Sequence, residues 1–385
     1  MDLVASVPNV MVMKEAGPRE AFILTRGEYD KRGEPVTASL PSIFSAPVNA
    51  APVNAAPLNP APIQPGPLNR LDLARWIVNP SNPLTARVWV NRVWEKFFGI
   101  GLVKTSENLG SQSEFPSHPE LLDWLALEFS QGQAPWDMKA LQKKILMSAT
   151  YRQSSRYDAL SISVDPENRL LSHGPRFRLP AEVLRDQALF VSGLLVEKRG
   201  GPSVRPYMPE GVWDETSRYG DLRNYKHDRN DGLYRRSLYT VWKRTAAPPS
   251  MLLFDAPNRE ICTVKRSRTN TPLQALTLLN EITYVEASRK LAERMLLGQE
   301  NSPADRLRRG FAWVTSRPPT AAELEVLIEG LQIDLAQLKL QPDAAQKLVL
   351  TGESRANPTL DVVELAAYTL SANVLLNLDE VVTRE

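Results

Sequence analysis

The chain has 385 residues, of which 43% are hydrophobic and 23% are charged, and its formal net charge is only +2. This length and composition are those of a globular protein that buries a core without disulfides or structural metals, and the length favours two or three domains. The balanced charge excludes a global field that would attract nucleic acid or an anionic membrane, so any charge-based function has to be local.

The first segment, residues 1–45, is predicted to be a short strand-containing arm. Val10–Met13 and Ala21–Thr25 are apolar runs that favour strands, and residues 26–33 have the composition of a turn. Two strands are too few to fold alone, so we expect them to pair with another part of the protein. Asp2 stands where a signal peptide has basic residues, and no signal peptide is predicted in this chain.

The second segment, residues 46–68, is rich in proline, alanine and asparagine. Its sequence Ala-Pro-Val-Asn-Ala at 46–50 recurs at 51–55 and is followed by five further prolines. Prolines at this density prevent helices and favour an extended chain. We therefore predict a low-complexity linker.

From residue 69 to 385 the pattern is helical, and several helix starts are well marked. Ser117, Thr271 and Thr320 each begin a capping-box sequence, and Ser302 precedes a proline in the same way. Apolar residues behind these starts recur at helical spacing and are predicted to form the core. They are Val90, Val93, Trp94 and Phe97; Leu184, Ala188, Val191 and Leu195; Leu324, Leu327, Ile328 and Leu331; and Val363, Ala367, Leu370 and Val374. We predict a mainly α fold, a multi-helix domain preceded by the strand arm.

An irregular insertion is predicted at about residues 200–249, where Gly, Pro, Asp, Asn and Arg are frequent. Within it, residues 234–243 alternate in a way that suits a strand, with Leu238, Thr240 and Trp242 on one side. Long irregular segments in a helical domain are common places for function.

Most catalytic and metal-binding motifs are absent from the sequence. Cys262 is the only cysteine, which excludes a disulfide, a thiolate zinc cage and a Cys-x-x-Cys-His haem attachment; we expect it to be a buried structural thiol. Residues 228–232 resemble a calcium loop but fail it, because the twelfth position is Leu238. No apolar run reaches 18 residues, so we predict no membrane insertion. We predict no metal and no cofactor in this chain.

Two polar clusters remain as candidate binding sites. The first comprises Arg176, Arg178, Glu182, Arg185 and Asp186, around a predicted helix start at Pro180. These residues could be structural ion pairs that hold the helix to its neighbours, or a charged cleft in which an arginine binds a carboxylate or sulfate group.

The second cluster ends at the predicted helix start at Thr271. It comprises Asp255, Lys265, Arg266, Arg268, Asn270 and Thr271. Free backbone N–H groups at a helix N-terminus, together with nearby bases, favour anion binding. The alternative is that Thr271 only caps its helix while the arginines pair with carboxylates.

Long strings of the sequence resemble a known family, the Planctomycete-specific domain from the C-terminal part of large planctomycete cytochrome-c-like proteins. The matching strings are Asn82–Val88, Asn91–Trp94, Phe98–Val103, Pro116–Leu125, Ser148–Ser154, Phe254–Leu276, Glu364–Tyr368 and Leu375–Glu380, with Pro18–Glu20 and Arg26–Asp30 leading into them. The similarity covers nearly the whole chain except the linker. The family is itself of unknown function and offers no established catalytic residue.

The resemblance implies a cell-envelope context. Full-length relatives carry a secretion signal, a Cys-x-x-Cys-His haem module and a second uncharacterised domain before this one, so we expect an extracytoplasmic location (periplasm or cell envelope) and a fragment or shortened relative. Haem is expected only in the upstream module. Expected partners are that haem-bearing module or a companion envelope protein, and an acidic or sulfated glycan; no nucleic acid is expected.

Two functions remain open at this point. The first is a non-enzymatic binding or scaffolding domain of a haem-associated envelope protein that handles extracellular polysaccharide. The second is an unrecognised enzyme, a glycan hydrolase or a partner in haem-linked oxidation, which requires two carboxylates that face one cleft.

Overall fold

The computed structural model describes residues 11–14, 19–40, 68–213, 225–243, 245–299 and 302–384. Within these ranges the chain is mainly helical, with fourteen α-helices and two sheets of two strands each. The mainly α fold predicted from the apolar spacing is confirmed, as is the short strand pair near the N-terminus. Residue 10 and residues 46–67 of the predicted linker lie outside the described residues.

The chain divides into two compact units, Met1–Asn91 with His118–Gln142, and Arg92–Ser117 with Lys143–Glu385. The first unit begins with an antiparallel hairpin of β1 (Ala21–Leu24) and β2 (Arg32–Val36). The predicted strand at residues 10–13 is wrong for residues 11–13, which are irregular. Left-handed backbone at Arg26 and Gly27 reverses the chain, so the residues that pair with β1 come after the turn.

Four helices follow the hairpin: α1 (Arg70–Ile77), α2 (Thr85–Phe98), α3 (Pro119–Gln131) and α4 (Met138–Leu146). The first unit buries Val90, Leu122, Leu125, Phe129 and Leu141. Arg87 donates to Asp123 at 2.6 Å, which ties α2 to α3.

The second unit contains the remaining helices and the second sheet. They are α5 (Ala159–Val164), α6 (Ala181–Ser192), α7 (Pro249–Leu253), α8 (Pro272–Asn280), α9 (Ile282–Leu296), α10 (Pro303–Thr315), α11 (Ala321–Leu340), α12 (Pro342–Val349), α13 (Val362–Leu376) and α14 (Asp379–Val382), with β3 (Phe177–Arg178) and β4 (Thr383–Arg384).

The core of the second unit surrounds α9 and α13, which pack extensively against each other. Small side chains such as Ala287, Ala292, Ala366, Ala367 and Ala372 are fully buried there and let the two helices approach closely. Helix α6 packs on α9, and α11 and α12 pack on α13. The predicted apolar stripes lie in or against the core, except that Val374 is half exposed.

Two of the four predicted helix caps form. Ser302 accepts from Asp305 N, and Thr320 and Glu323 form a reciprocal capping box. The prediction for Ser117 is wrong, whereas α8 does start at Thr271 as predicted but lacks the side-chain bond of a capping box. Helix α3 starts one residue later, at an N-cap His118 that makes no side-chain cap, and Thr271 caps α8 only with its backbone.

The predicted strand at residues 234–243 is also wrong. Two 3₁₀ turns, Asn230–Tyr234 and Ser237–Tyr239, interrupt that stretch, and its β pairing is limited to two isolated bridges, Arg235 with Val196 and Thr240 with Val204. The cause is the buried guanidinium of Arg185, which donates to the carbonyl oxygens of Leu233 (2.6 Å) and Arg235 (3.0 Å) and holds the backbone in turns.

Candidate functional site

The best candidate site is a cavity of about 300 Å³ in the second unit, which we call the cationic cavity. Five basic residues line it: Lys96, Arg178, Arg266, Arg268 and Arg384. Only two carboxylates share the lining, Glu95 and Asp255, and the remaining residues are largely apolar. The cavity therefore concentrates positive charge in a chain whose total charge is near neutral.

Four separate stretches of chain bring these side chains together. Glu95 and Lys96 lie in the last turn of α2, and the loop before α8 supplies Arg266 and Arg268. Strands β3 and β4 pair with Phe177 opposite Arg384 and Arg178 opposite Thr383. This short sheet holds two of the cations beside each other.

Arg266 is the cation that is most closely paired. Its Nη1 donates to both oxygens of Glu182, at 2.8 and 3.1 Å. Burial is the largest single influence and opposes ionisation of Glu182. The hydrogen bonds from Arg266, a backbone hydrogen bond and the positive charges of Arg266 and Arg259 together outweigh it, and they lower the pKa of Glu182 below its ordinary value. Glu182 is therefore a carboxylate held in its charged form, at the first turn of α6.

Arg268 forms part of the cavity wall. Its guanidinium lies 4.4 Å from the centroid of the Phe177 ring and donates to Gly99 O at 2.6 Å. Gly99 has a φ of +80°, and a Cβ there would lie 2.9 Å from the Phe177 ring and 3.2 Å from Arg268. A side chain at this position would displace the wall, so glycine is required.

Arg178 and Asp255 are held by neutral partners. Arg178 donates to Gln274 Oε1 at 3.0 Å, while Asp255 accepts from the backbone N and the hydroxyl of Thr269 at 2.7 to 3.1 Å. Because neither group makes a direct ion pair with a residue that the structure describes, the charge of Arg178 stays available to the cavity.

Arg384 is held only by aromatic rings. Its guanidinium lies 4.3 Å from the Tyr151 centroid and 5.7 Å from that of Phe177. It makes no hydrogen bond or ion pair with any residue that the structure describes. A cation over ring faces keeps its charge directed at the adjoining space.

Desolvation shapes the electrostatics of the site. Burial lowers the pKa of Arg178, Arg268 and Arg384, and desolvation likewise lowers that of Lys96, opposed by Glu95 and reinforced by Arg266 and Arg268. The arginines stay charged at neutral pH because their ordinary pKa is far above it. Arg178, Arg266 and Arg384 are partly buried, while Lys96 and Arg268 keep contact with solvent. The cations outnumber the carboxylates of the lining, so an anion in the cavity would complete their neutralisation.

The structure brings part of the predicted clusters together. Arg178, Asp255, Arg266 and Arg268 line one cavity, and Glu182 joins it through Arg266. The two clusters that are separate in sequence thus meet in space, and they do so at the cationic cavity.

Other predicted residues lie elsewhere. Arg185 and Asp186 hold the 3₁₀ turns, since Asp186 accepts from Ser237 N at 2.7 Å. Arg176 pairs with Asp379, and Lys265 donates to the carbonyl oxygen of Lys104. Asn270 and Thr271 stand outside the cavity lining.

Sequence reasoning missed Glu95, Lys96, Phe177 and Arg384. Glu95 and Lys96 lie between two strings that resemble the family. That position was the only feature of the sequence that could have pointed to these two residues. No feature of the sequence pointed to Arg384, because its place in the cavity depends on the pairing of β4 with β3, which is distant in sequence.

Cys262 is exposed, so the expectation of a buried thiol is wrong. It lies in the loop between α7 and α8, which is largely exposed and has no regular structure to cover the side chain. Among the described residues, no three His, Cys, Asp or Glu side chains are grouped as metal ligands. In the same part of the chain, no helix is long and apolar enough to span a membrane.

The described residues form a mainly helical chain with a cavity lined by basic side chains. The chain belongs to the family described as PSD1, protein of unknown function (DUF1553), whose sequence model matches residues 69–331. No curated protein and no solved structure matches the chain significantly. The resemblance read from the sequence is confirmed as far as a family of unknown function.

Proposed function

We propose that this chain is a non-enzymatic binding domain whose cationic cavity holds a carboxylate or sulfate group of an acidic extracellular polymer, such as a sulfated glycan. The observation that carries the proposal is the lining of the cavity, where five basic residues face two carboxylates. Guanidinium groups bind carboxylate and sulfate oxygens through paired N–H donors, which gives both affinity and orientation.

The carboxylates of the site support binding over glycan hydrolysis. A hydrolase needs one carboxyl group that stays protonated to act as an acid. The pKa of Glu182 is lowered, because Arg266 holds the charged form. Asp255 is engaged as an acceptor by Thr269. Glu182 therefore lacks the environment of a general acid.

The biological setting is a second part of the proposal and rests on the resemblance alone. We place the domain in the cell envelope of a planctomycete, in association with a cytochrome-c-like haem module or a companion protein. The chain itself has one cysteine and offers no Cys-x-x-Cys-His attachment, so no haem chemistry is derived for it. Sequencing of the complete gene tests this setting. A Cys-x-x-Cys-His motif in the same reading frame supports it, and an intact gene without that motif overturns the association with haem.

Binding is tested with the Arg384→Gln variant. Arg384 is the cavity cation whose guanidinium has ring contacts only among the described residues, so its loss removes charge and breaks no ion pair. We expect isothermal titration to show binding of inorganic sulfate and sulfated galacto-oligosaccharides, and little binding of the neutral sugars. Arg384→Gln is expected to weaken sulfate binding about tenfold, the effect of one charge-assisted hydrogen bond.

The matched control is Arg199→Gln, which removes an exposed arginine outside the cavity. It changes the net charge equally and is expected to leave affinity unchanged. Equal affinities for the parent and both variants, or tight binding of neutral sugars, would contradict an anion site in this cavity.

A further inference from the structure

A second cavity adjoins the cationic cavity and shares two residues with it. It has a volume of about 390 Å³, and Phe177 and Arg268 line both spaces. The stacked pair of ring and guanidinium is therefore a partition between them. We call the second space the aromatic cavity, because Trp94, Phe98, Tyr157 and Phe177 line it.

The aromatic cavity is less strongly basic than its neighbour: its lining holds three arginines and one glutamate, against five basic residues and two carboxylates. Glu167 binds Lys104 with both oxygens at 2.8 Å, and Arg176 is paired with Asp379. Arg169 donates to the carbonyl oxygens of Gly101 and Leu102, at 2.8 and 3.0 Å.

Tyr157 and His173 give the aromatic cavity a ring face and a polar acceptor. The Tyr157 side chain is 55% exposed, and its ring centroid lies 5.5 Å from that of His173. His173 Nδ1 lies 2.9 Å from Gly174 O, and because a carbonyl oxygen can only accept, Nδ1 is the donor. In the neutral ring Nε2 is then an acceptor, which suits a ligand hydroxyl.

We infer that the two cavities bind one ligand, an acidic oligosaccharide, with its charged group in the cationic cavity and a neighbouring uncharged sugar ring against Tyr157 in the aromatic cavity. This inference rests on the proposed function. An apolar ring face with a few well-placed polar groups is the usual lining of a small-molecule site.

The charge balance favours a sugar acid over a nucleotide. The cations of the cationic cavity are opposed by Glu95, Asp255 and the paired Glu182, which leaves a small surplus of positive charge. A surplus of this size matches one or two negative charges on a sugar. A nucleotide triphosphate carries more charge than the cavity neutralises, and it would also meet the three carboxylates.

The test compares inorganic sulfate, a sulfated galactose trisaccharide and ATP by isothermal titration against the parent chain, Tyr157→Ala and Tyr157→Phe. We expect the parent to bind the trisaccharide at least about tenfold more tightly than sulfate. Tyr157→Ala is expected to lower the affinity for the trisaccharide to that for sulfate and to leave the sulfate affinity unchanged. Tyr157→Phe keeps the aromatic ring and is expected to keep the tighter binding of the trisaccharide. Tyr29→Ala, at an 88% exposed tyrosine in the first unit, is the control and should change neither.

The outcomes separate the two proposals. If sulfate binds and depends on Arg384, but the trisaccharide gains nothing from Tyr157, the shared ligand is overturned while the anion site stands. If neither sulfate nor the trisaccharide binds, the proposed function fails and the inference fails with it. Tighter binding of ATP than of the trisaccharide, lost in Tyr157→Ala, overturns the sugar in favour of a nucleotide.

Discussion

Arg289 shows how the second unit uses buried charge. Its side chain is fully buried on α9, where Nη1 donates to Glu293 at 2.7 Å and Nη2 to the Ser354 hydroxyl at 2.7 Å. The neighbouring Glu286 is equally buried and accepts from the hydroxyls of Tyr207 (3.0 Å) and Tyr234 (2.9 Å). Burial, with the negative charge of Glu286, raises the pKa of Tyr234 to about 12, so this tyrosine stays a donor at neutral pH.

Replacement of Arg289 by methionine is expected to destabilise the protein strongly. The variant leaves the buried Glu286 without its cation and Glu293 with Lys290 alone, and the cost of breaking a buried pair is about 3–5 kcal/mol. Urea unfolding of Arg289→Met measures it. Lys290→Met is the control, because Lys290 binds the same Glu293 from a more exposed position, at 2.7 Å, and its loss should cost about 1 kcal/mol or less. If both variants lost a similar amount of unfolding free energy, burial would not determine how much these ion pairs contribute to stability.

At the scale of single elements, the start of α11 makes a pH-dependent contribution to stability. Glu323 accepts from Arg317 at 2.7 and 2.9 Å and from Thr320 N at 2.7 Å, and these bonds lower its pKa from the ordinary 4.5 to about 2. Because the pKa is lower in the folded state, the stabilisation is complete above pH 4.5 and is lost as the pH falls towards 2.

The parent and the Glu323→Gln variant are expected to differ in how steeply the melting temperature falls with decreasing pH. Between pH 5 and pH 2.5 the melting temperature of the parent should fall more than that of Glu323→Gln, whose side chain does not titrate. Glu325→Gln removes an exposed carboxylate from the same helix and should keep the slope of the parent. Parallel melting curves for parent and Glu323→Gln would disprove the role of this cap in acid sensitivity.

Helix starts also show what the sequence could predict. The capping sequences at Ser302 and Thr320 form as expected, because every group in them is local. At Thr271 the matching glutamine, Gln274, is buried and donates instead to Leu253 O and the Thr269 hydroxyl. A tertiary contact has replaced the local bond, and no spacing rule contains that information.

The same reason explains how much of the site was predictable. Arg178, Asp255, Arg266 and Arg268 stood out because charged residues cluster around them in sequence. That they share one cavity with Lys96 and Arg384 depends on the β3–β4 pair and on the end of α2, which are distant in sequence. Local patterns supplied part of the lining, and tertiary contacts supplied the rest.

At the scale of the whole molecule, the residues before the family match should be dispensable for binding. The described parts of the arm, residues 11–14 and 19–40, are exposed except for the partly buried Phe22 and Leu40. Every residue of the cationic cavity lies in the second unit. Deletion of residues 1–68 is therefore expected to change the melting temperature by less than about 2 °C and to leave sulfate affinity unchanged.

Circular dichroism and titration of the shortened chain measure both quantities. The full chain with Arg384→Gln provides the reference for lost binding. A shortened chain that folds but binds as weakly as that reference would assign the arm a part in the site.

The pairing of β4 with β3 has a consequence for biogenesis. The cationic cavity needs side chains from residue 95 to residue 384, so it is closed by contacts of very long sequence separation. Such contacts form late, because the entropy of closing the intervening chain opposes them until the core exists. A growing polypeptide on the ribosome can bind the proposed acidic ligand with full affinity only after Arg384 has been made and has emerged. Such a ligand is therefore expected to stabilise the folded chain more than it guides the folding of the helices that precede β4.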